Sequence, residues 1–188
     1  MKFVPNRECG DCTACCRTVA IEKPGIVKLP YVKCDNLMDC GKCQIYDKRP
    51  KVCAEFYCAW RYLPIMSEEW QPNKIGALVD ILKDDFPYDF PSKTGLRITV
   101  IDKQLALSKL EFARFIAGQI AIGVPIVICY SEKPGRPEST AFLNYALMKA
   151  VENRDRSSVV DGIKQAIELC EQNPKPLQKI ENGRIVPA

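Results

Sequence analysis

The chain of 188 residues contains no histidine. Imidazole is the only side chain whose ordinary pKa lies near neutral pH, and it is the commonest protein ligand of transition metals. Its absence excludes histidine-based hydrolase triads, mixed Cys/His zinc fingers and histidine-ligated iron. Any metal in this protein must therefore be held by sulfur or by carboxylate.

The sequence also lacks the features of a signal peptide and of a membrane-spanning helix. Its first residues lack the apolar stretch and the small-residue cleavage site of a signal peptide. The longest uncharged run, residues 115–131, is interrupted by Gly118, Gly123 and Pro125 and is too short and broken for a spanning helix. We therefore expect no membrane contact and a cytoplasmic location, where clustered cysteines favour metal or redox chemistry over disulfides.

What the chain does contain is enough apolar sequence for a core and an uneven supply of cysteine. It is 47% hydrophobic and 27% charged, which excludes a disordered or fibrous protein. Nine of the 11 cysteines fall between Cys9 and Cys58. This shift predicts a cysteine-rich zinc- or iron-chelating module at residues 1–63, packed against a body at residues 64–188, with the boundary near Leu63-Pro64.

The body is predicted to mix strands and helices. Branched residues and apolar spacing predict strands at 75–82, 96–101 and 124–130, a loop at 83–91, helices at 105–122, 139–151 and 158–170, and a hairpin turning at 182–183. Ser139 or Thr140 is the expected N-cap of the second helix, and Ser158 with Asp161 resembles a capping box for the third. The predicted fold class is therefore α+β: a mixed α/β body with an N-terminal cysteine-rich metal-binding module.

The sharpest chemical signal is Cys9-Gly-Asp-Cys12-Thr-Ala-Cys15-Cys16. A CxxC step turns the chain so that two thiolates can meet at one ion. Three cysteines at successive CxxC spacing also suit a 4Fe-4S cluster, which commonly takes its fourth ligand from a distant position. Because neighbouring side chains point apart in a helix or a strand, Cys15 and Cys16 are expected to serve different sites, unless one of them is spare.

A second group can supply the distant ligands. It consists of Cys34, Cys40, Cys43, Cys53 and Cys58, and its CxxC pair has a glycine at the turn. Zinc would need four thiolates per ion, so nine cysteines could fill two zinc sites with one left over. The favoured arrangement is one iron-sulfur cluster or zinc site built mainly from Cys9, Cys12, Cys15 and a cysteine of the second group, with the element left open.

The positive charge of the chain is concentrated beside these thiols. Residues 1–61 hold 11 Lys and Arg against 7 Asp and Glu, whereas residues 62–188 hold 16 of each. One interpretation is a basic surface for nucleic acid. We favour the other, in which the excess balances the charge of about −2 carried by a metal ion or cluster held by four thiolates.

Other residues are assigned by their surroundings in the sequence. Arg49 is expected to pair with the thiolates, although Asp47 and Glu55 are alternative partners. Tyr46 belongs to an aromatic segment expected to shield the site and pack it on the body. Cys129 lies in an apolar strand and Cys170 on an apolar helix face, so both are predicted to be core residues.

The cysteine pattern resembles a known family. CxxCxxCC, then CxxC, the segment Ile45-Tyr46-Asp47-Lys48-Arg49-Pro50, Cys53 and Cys58-Ala59-Trp60 are similar to the YkgJ-like cysteine-cluster proteins. The resemblance covers about the first third of the chain. It implies chelation of zinc or iron by these thiols, with no agreed reaction. Flagellin lysine methylases are similar in their cysteine cluster, which there implies an iron-sulfur cofactor.

These observations predict a protein that binds a metal ion or an iron-sulfur cluster, for metal handling or redox chemistry. The first alternative is an iron-sulfur-dependent enzyme for methyl or redox transfer; a cleft beside the cluster with buried carboxylates or Arg136 would favour it. The second is a zinc-stapled module that binds nucleic acid or protein, which predicts a continuous basic face. The metal ion or cluster is the only partner that the sequence specifies.

Overall fold

The computed structural model describes residues 2–83, 86–87 and 90–188, so part of the predicted loop at 83–91 lies outside the described residues. The cysteine-rich segment contains short elements: α1 (Ala14–Thr18), the hairpin β1 (Ile21–Lys23) and β2 (Ile26–Lys28), and α2 (Lys51–Ala54); α3 (Pro72–Ile75) follows at the start of the body. Short 3-10 turns lie between them at Tyr46–Lys48, Ala59–Arg61 and Glu68–Trp70. The spaces between these elements are loops that carry most of the thiols.

The body is built on a four-stranded sheet. Its elements are β3 (Ala77–Lys83), β4 (Thr94–Val100), α4 (Lys103–Ser108), α5 (Leu110–Ala121), β5 (Ile126–Tyr130), β6 (Ser139–Phe142), α6 (Leu143–Glu152) and α7 (Arg156–Gln172), followed by the hairpin β7 (Gln178–Glu181) and β8 (Arg184–Pro187). The strand order is β3-β4-β5-β6, with β4 and β5 parallel and both outer pairs antiparallel. The predicted mixed α+β class is confirmed.

Three details of the prediction were wrong. The helix expected at 105–122 is two helices that meet at Lys109, which has extended backbone angles. Ser139 and Thr140 do not begin a helix, because residues 139–142 pair with β5 and α6 begins only at Leu143. The third helix begins at Arg156 rather than at 158, since the Asp155 carboxylate accepts a hydrogen bond from the Ser158 N–H and caps it.

The two faces of the sheet have different chemistry because side chains alternate along each strand. On one face, Ile98, Ile126 and Ile128 are fully buried in the core that α5, α6 and α7 complete. On the opposite face, Asp80 pairs in register with Arg97, and Cys129 lies between Thr99 and Thr140. Of the described helices, α5, α6 and α7 pack on the first face, so the opposite face is the polar one.

Residues just before the predicted boundary contribute to the same core as the body. Ala59 and Trp60 are buried there together with Trp70. The Trp70 ring lies 4.4 Å from the ring of Phe115 and 5.8 Å from that of Phe112, both on α5. The division at residue 63 stays a prediction, and aromatic packing joins its two sides.

Backbone contacts also join the first hairpin to the end of the chain. The Gly135 N–H donates to the Pro30 carbonyl over 2.8 Å, and the Gly135 carbonyl accepts from the Gln178 N–H over 2.7 Å. The Ile185 N–H donates to the Glu22 carboxylate over 2.9 Å. None of the helices in the described part of the chain combines the length and apolar character that a membrane crossing requires.

Candidate metal centre

Two features position the first CxxC turn. Gly10 has a φ of 53°, which lets the chain reverse so that the Cys12 N–H donates to the Cys9 carbonyl over 2.8 Å. Just before the turn, the buried Arg7 guanidinium donates to the carbonyls of Trp60, over 2.7 Å, and Leu63, over 3.0 Å. Arg7 therefore holds Cys9 and Cys12 beside the chain that follows Cys58.

Four thiols form what we call the first thiol group: Cys9, Cys12, Cys15 and Cys58. Burial raises the pKa of Cys12 and raises that of Cys58 to about 12, and in both cases the charge of Cys9 adds to the effect. Backbone N–H groups oppose these shifts by donating to sulfur, from Ala14 and Asn73 to Cys12 and from Arg61 to Cys58. The group thus combines thiols whose charges act on one another with N–H donors of the kind that stabilise metal-bound sulfur.

Four other thiols form the second thiol group: Cys16, Cys34, Cys43 and Cys53. The Cys34 N–H donates to the Cys16 carbonyl over 2.9 Å, and a β-bridge pairs Leu37 with Cys43. Burial raises the pKa of Cys53, and the next contributions in order of size are the charges of Cys34, Cys16 and Cys43. The second group gathers Cys16 from α1, Cys53 from α2, and Cys34 and Cys43 from the segment between β2 and Tyr46–Lys48.

Adjacent cysteines of α1 lie where the two groups meet. The hydrogen bond that the Cys15 thiol donates to Cys16 lowers the pKa of Cys16 to about 6 and, together with burial, raises that of Cys15. The charges of Cys9 and Cys12 act on Cys15, and those of Lys28 and Arg49 act on Cys16. The charge of Cys16 also acts on Cys12, and that of Cys15 acts on Lys28. Cys16 is therefore the thiol of this pair that ionises first.

Two cations face the second thiol group. Lys28 is only 5% exposed, and its Nζ donates to the Val32 carbonyl over 2.9 Å. Burial lowers the pKa of Lys28, and the charges of Cys34 and Cys16 act in the opposite direction. Its ammonium group is therefore close enough to these thiols to compensate negative charge on them.

Arg49 is the second cation. Its guanidinium carbon lies 3.8 Å from the centre of the Tyr46 ring, which is 55% exposed. Its charge lowers the pKa of Cys16 and opposes the rise at Cys53. The Nε atom of Arg49 is buried without a hydrogen-bond partner. Within the described residues Arg49 makes no ion pair, and Glu55 pairs with Lys51 over 3.7 Å.

The remaining cysteines stand apart from both groups. Cys40 is exposed at the tip of its turn, where Gly41 has a φ of 80°. The thiol charges that act on Cys53 are those of Cys34, Cys16 and Cys43 rather than that of Cys40, so we place Cys40 outside the second thiol group. Cys129 and Cys170 are buried in the body, as predicted. All 11 cysteines are free thiols.

The thiols are neighbours, but they do not form a closed coordination shell. In the part of the chain that the structure describes, no three cysteine, aspartate or glutamate side chains are close enough together to hold a metal ion. Metal binding therefore stays a prediction. The donor set fits a tetrathiolate site in its chemistry, because each group offers four sulfurs with either N–H donors or cations beside them.

Sequence reasoning missed two residues that position the thiols. Lys28 ends a short strand of otherwise apolar residues, and only its place between Val27 and Leu29 marks it as a lysine that could be buried. Arg7 precedes the first cysteine by two positions and gives no signal, because its partners are backbone carbonyls 53 and 56 residues away.

Comparisons with protein-family models, with curated proteins and with solved structures find no match to the chain. The resemblance to the YkgJ-like proteins therefore rests on the quoted cysteine motifs alone.

Proposed function

We propose that this protein binds metal at two tetrathiolate sites, one in each thiol group, as zinc ions or iron-sulfur clusters. Cys9, Cys12, Cys15 and Cys58 would hold one site, and Cys16, Cys34, Cys43 and Cys53 would hold the other. Bound zinc would act as a structural crosslink, and bound clusters would supply electron-transfer chemistry. Metal handling or redox work follows from this proposal.

The observation that carries the proposal is that the charge effects among the thiols connect Cys58 with Cys9 and Cys12, and Cys53 with Cys34 and Cys43. We assign Cys15 to the first of these sets and Cys16 to the second. Each set contains four sulfurs, which is the number that zinc or a cubane cluster takes from protein. Ionised thiols repel one another, and each raises the pKa of the next. A bound cation reverses that repulsion and would draw four neighbouring sulfurs into a shell.

The placement of the cations favours metal over nucleic acid. Lys28 is buried beside the second thiol group, and the unpartnered Nε of Arg49 is available to a sulfur. A surface that binds nucleic acid needs its lysines and arginines in solvent, where they reach phosphates. Here the charges of both cations act on Cys16, which suits charge compensation at a tetrathiolate site.

The experiment is anaerobic purification of the whole chain followed by assays for zinc, iron and acid-labile sulfide, with a visible absorption spectrum. A colourless protein with two zinc ions per chain supports the zinc form of the proposal. A brown protein with sulfide and iron supports the cluster form. A chain that carries no metal and takes up neither Zn²⁺ nor iron with sulfide under reducing conditions overturns it.

A further inference from the structure

A cavity of about 420 Å³ opens on the polar face of the central sheet. Its floor is formed by β4, β5 and β6, and its walls by the loop before β6 and by Lys175, which follows α7. The volume lies in the range of sites for small organic molecules, about 300–1,000 Å³.

Charged groups converge at one end of the cavity around Cys129. The charge of Glu138 raises the pKa of this thiol, whereas the charges of Arg97 and Lys175 lower it. Burial is the largest effect and raises the pKa of Cys129 to about 12, so the thiol stays neutral. The floor of this end is thus an uncharged thiol surrounded by one carboxylate and two cations.

These charges are incompletely paired. Arg97 donates to the Asp80 carboxylate over 3.0 Å, but its Nε is buried without a hydrogen-bond partner. Within the described residues, Glu138 and Lys175 make no hydrogen bond or ion pair, either with each other or with another side chain. The cavity therefore offers a ligand both positively charged hydrogen-bond donors and a negatively charged acceptor.

The other end of the cavity is apolar and aromatic. Phe142, Val127 and Leu82 line it together with Phe86. Phe142 belongs to an aromatic cluster, with its ring centre 5.2 Å from that of Phe90 and 5.1 Å from that of Tyr145. A flat or branched apolar group would bury its surface here at about 25 cal/mol per Å².

We propose that this cavity binds a small zwitterion, an α-amino acid with an apolar side chain. The ligand carboxylate would accept from Arg97 Nε and Lys175, and its ammonium group would donate to Glu138. Asp80 and Glu138 balance Arg97 and Lys175, so the ligand that fits has no net charge. A purely anionic ligand would meet Glu138 unpaired, and a purely cationic one would meet Lys175.

Isothermal titration calorimetry of the whole chain with three related probes tests the proposal. L-Phenylalanine carries both charges, 3-phenylpropionate lacks the amine, and 2-phenylethylamine lacks the carboxylate. We expect phenylalanine to bind at least about tenfold more tightly than either single-charge probe, since one lost ion pair costs about 1.4 kcal/mol or more. L-Leucine and L-methionine are titrated as well, because the apolar end sets the preferred side chain.

Two variants test which side chain binds the carboxylate of the ligand and which binds its ammonium group. Lys175→Gln should weaken amino-acid binding without weakening that of 2-phenylethylamine. Glu138→Gln should weaken amino-acid binding without weakening that of 3-phenylpropionate. In each case the substitution removes a like charge that opposes the single-charge probe. Lys179→Gln and Glu132→Gln are the matched controls, because both residues are exposed and neither lines the cavity. The two test variants and the two control variants should all retain the metal content of the parent chain.

The proposal is overturned if none of the three amino acids binds, or if a single-charge probe binds as tightly as the amino acid with the same side chain. It is also overturned if Lys175→Gln and Glu138→Gln bind the amino acid as the parent does. Because the cavity contains none of the eight grouped thiols, these results are independent of the metal assays.

Discussion

The Arg7 guanidinium donates to the Trp60 carbonyl over 2.7 Å, and its central carbon lies 5.3 Å from the centre of the Trp60 ring. Arg7 also donates to the Met66 carbonyl and, through Nε, to the Glu68 carboxylate over 2.7 Å. One side chain therefore satisfies acceptors along a turn of the chain and fixes the segment before the first cysteine.

We predict that Arg7→Met destabilises the protein by about 2–4 kcal/mol, because buried carbonyls lose their donors and cannot reach water. Urea unfolding followed by tryptophan fluorescence measures the change. Glu68→Gln is the control, since Glu68 is 64% exposed and an exposed ion pair contributes at most about 1 kcal/mol. Equal losses in the two variants would show that the carbonyl contacts contribute little.

The two cysteines of Cys40-Gly-Lys-Cys43 are predicted to differ. Cys43→Ser should remove the metal of the second thiol group and leave that of the first, whereas Cys40→Ser should keep both, because Cys40 is exposed and outside both groups. Metal analysis after anaerobic purification gives the stoichiometry, with Cys170→Ser as a second control. Loss of all metal in Cys43→Ser would indicate one shared site instead.

Two glycines are predicted to respond to alanine with opposite signs. A Cβ at Gly95 would lie 2.2 Å from the Pro125 carbonyl oxygen, a backbone atom that also accepts from the Leu96 N–H. Gly95→Ala should therefore cost about 1–3 kcal/mol. A Cβ at Gly118 meets nothing within 4 Å, so Gly118→Ala should stabilise α5 by about 0.5–1 kcal/mol. Thermal unfolding distinguishes the two outcomes.

The cap of α7 gives a prediction about pH. Hydrogen bonds from the Ser158 and Ser157 hydroxyls lower the pKa of Asp155 to about 2 in the folded protein. A depressed folded pKa stabilises the protein above the unfolded pKa of about 3.9, and this contribution is lost as the pH falls through about 2. The difference in melting temperature between the parent and Asp155→Asn should therefore shrink from pH 4 to pH 2.

Asp161→Asn is the control for this measurement, because Asp161 is exposed on the same helix and pairs with Lys164 over 3.5 Å. A difference between the parent and Asp155→Asn that persisted unchanged at pH 2 would contradict the assigned pKa.

Several strands and turns of the body could be predicted from the residues that form them. The strands that became β3, β4 and β5 and the hairpin at 182–183 are marked by branched residues and by Asn182-Gly183. Residues 139–142 could not be assigned in this way, since their extended conformation depends on pairing with β5. The break between α4 and α5 at Lys109 could not be predicted either, because the apolar spacing continues through it.

The spacing of the cysteines predicted metal binding, but it did not predict which cysteines belong to the first thiol group and which to the second. Nothing in the order of the chain associates Cys58 with Cys9 rather than with Cys53. That association depends on Arg7, whose carbonyl partners are distant in sequence. Likewise the cavity charges Arg97, Glu138 and Lys175 come from separate elements, and only the folded sheet brings them together.

The contacts of Gly135 with Pro30 and Gln178, and of Ile185 with Glu22, have a consequence for biosynthesis. A ribosome synthesises the nine clustered cysteines before Gly135, Gln178 and Ile185, the residues that secure the first hairpin. During that interval the thiols beside the first hairpin are exposed to oxidants. The hairpin is secured to the rest of the protein only once residue 185 has left the exit tunnel.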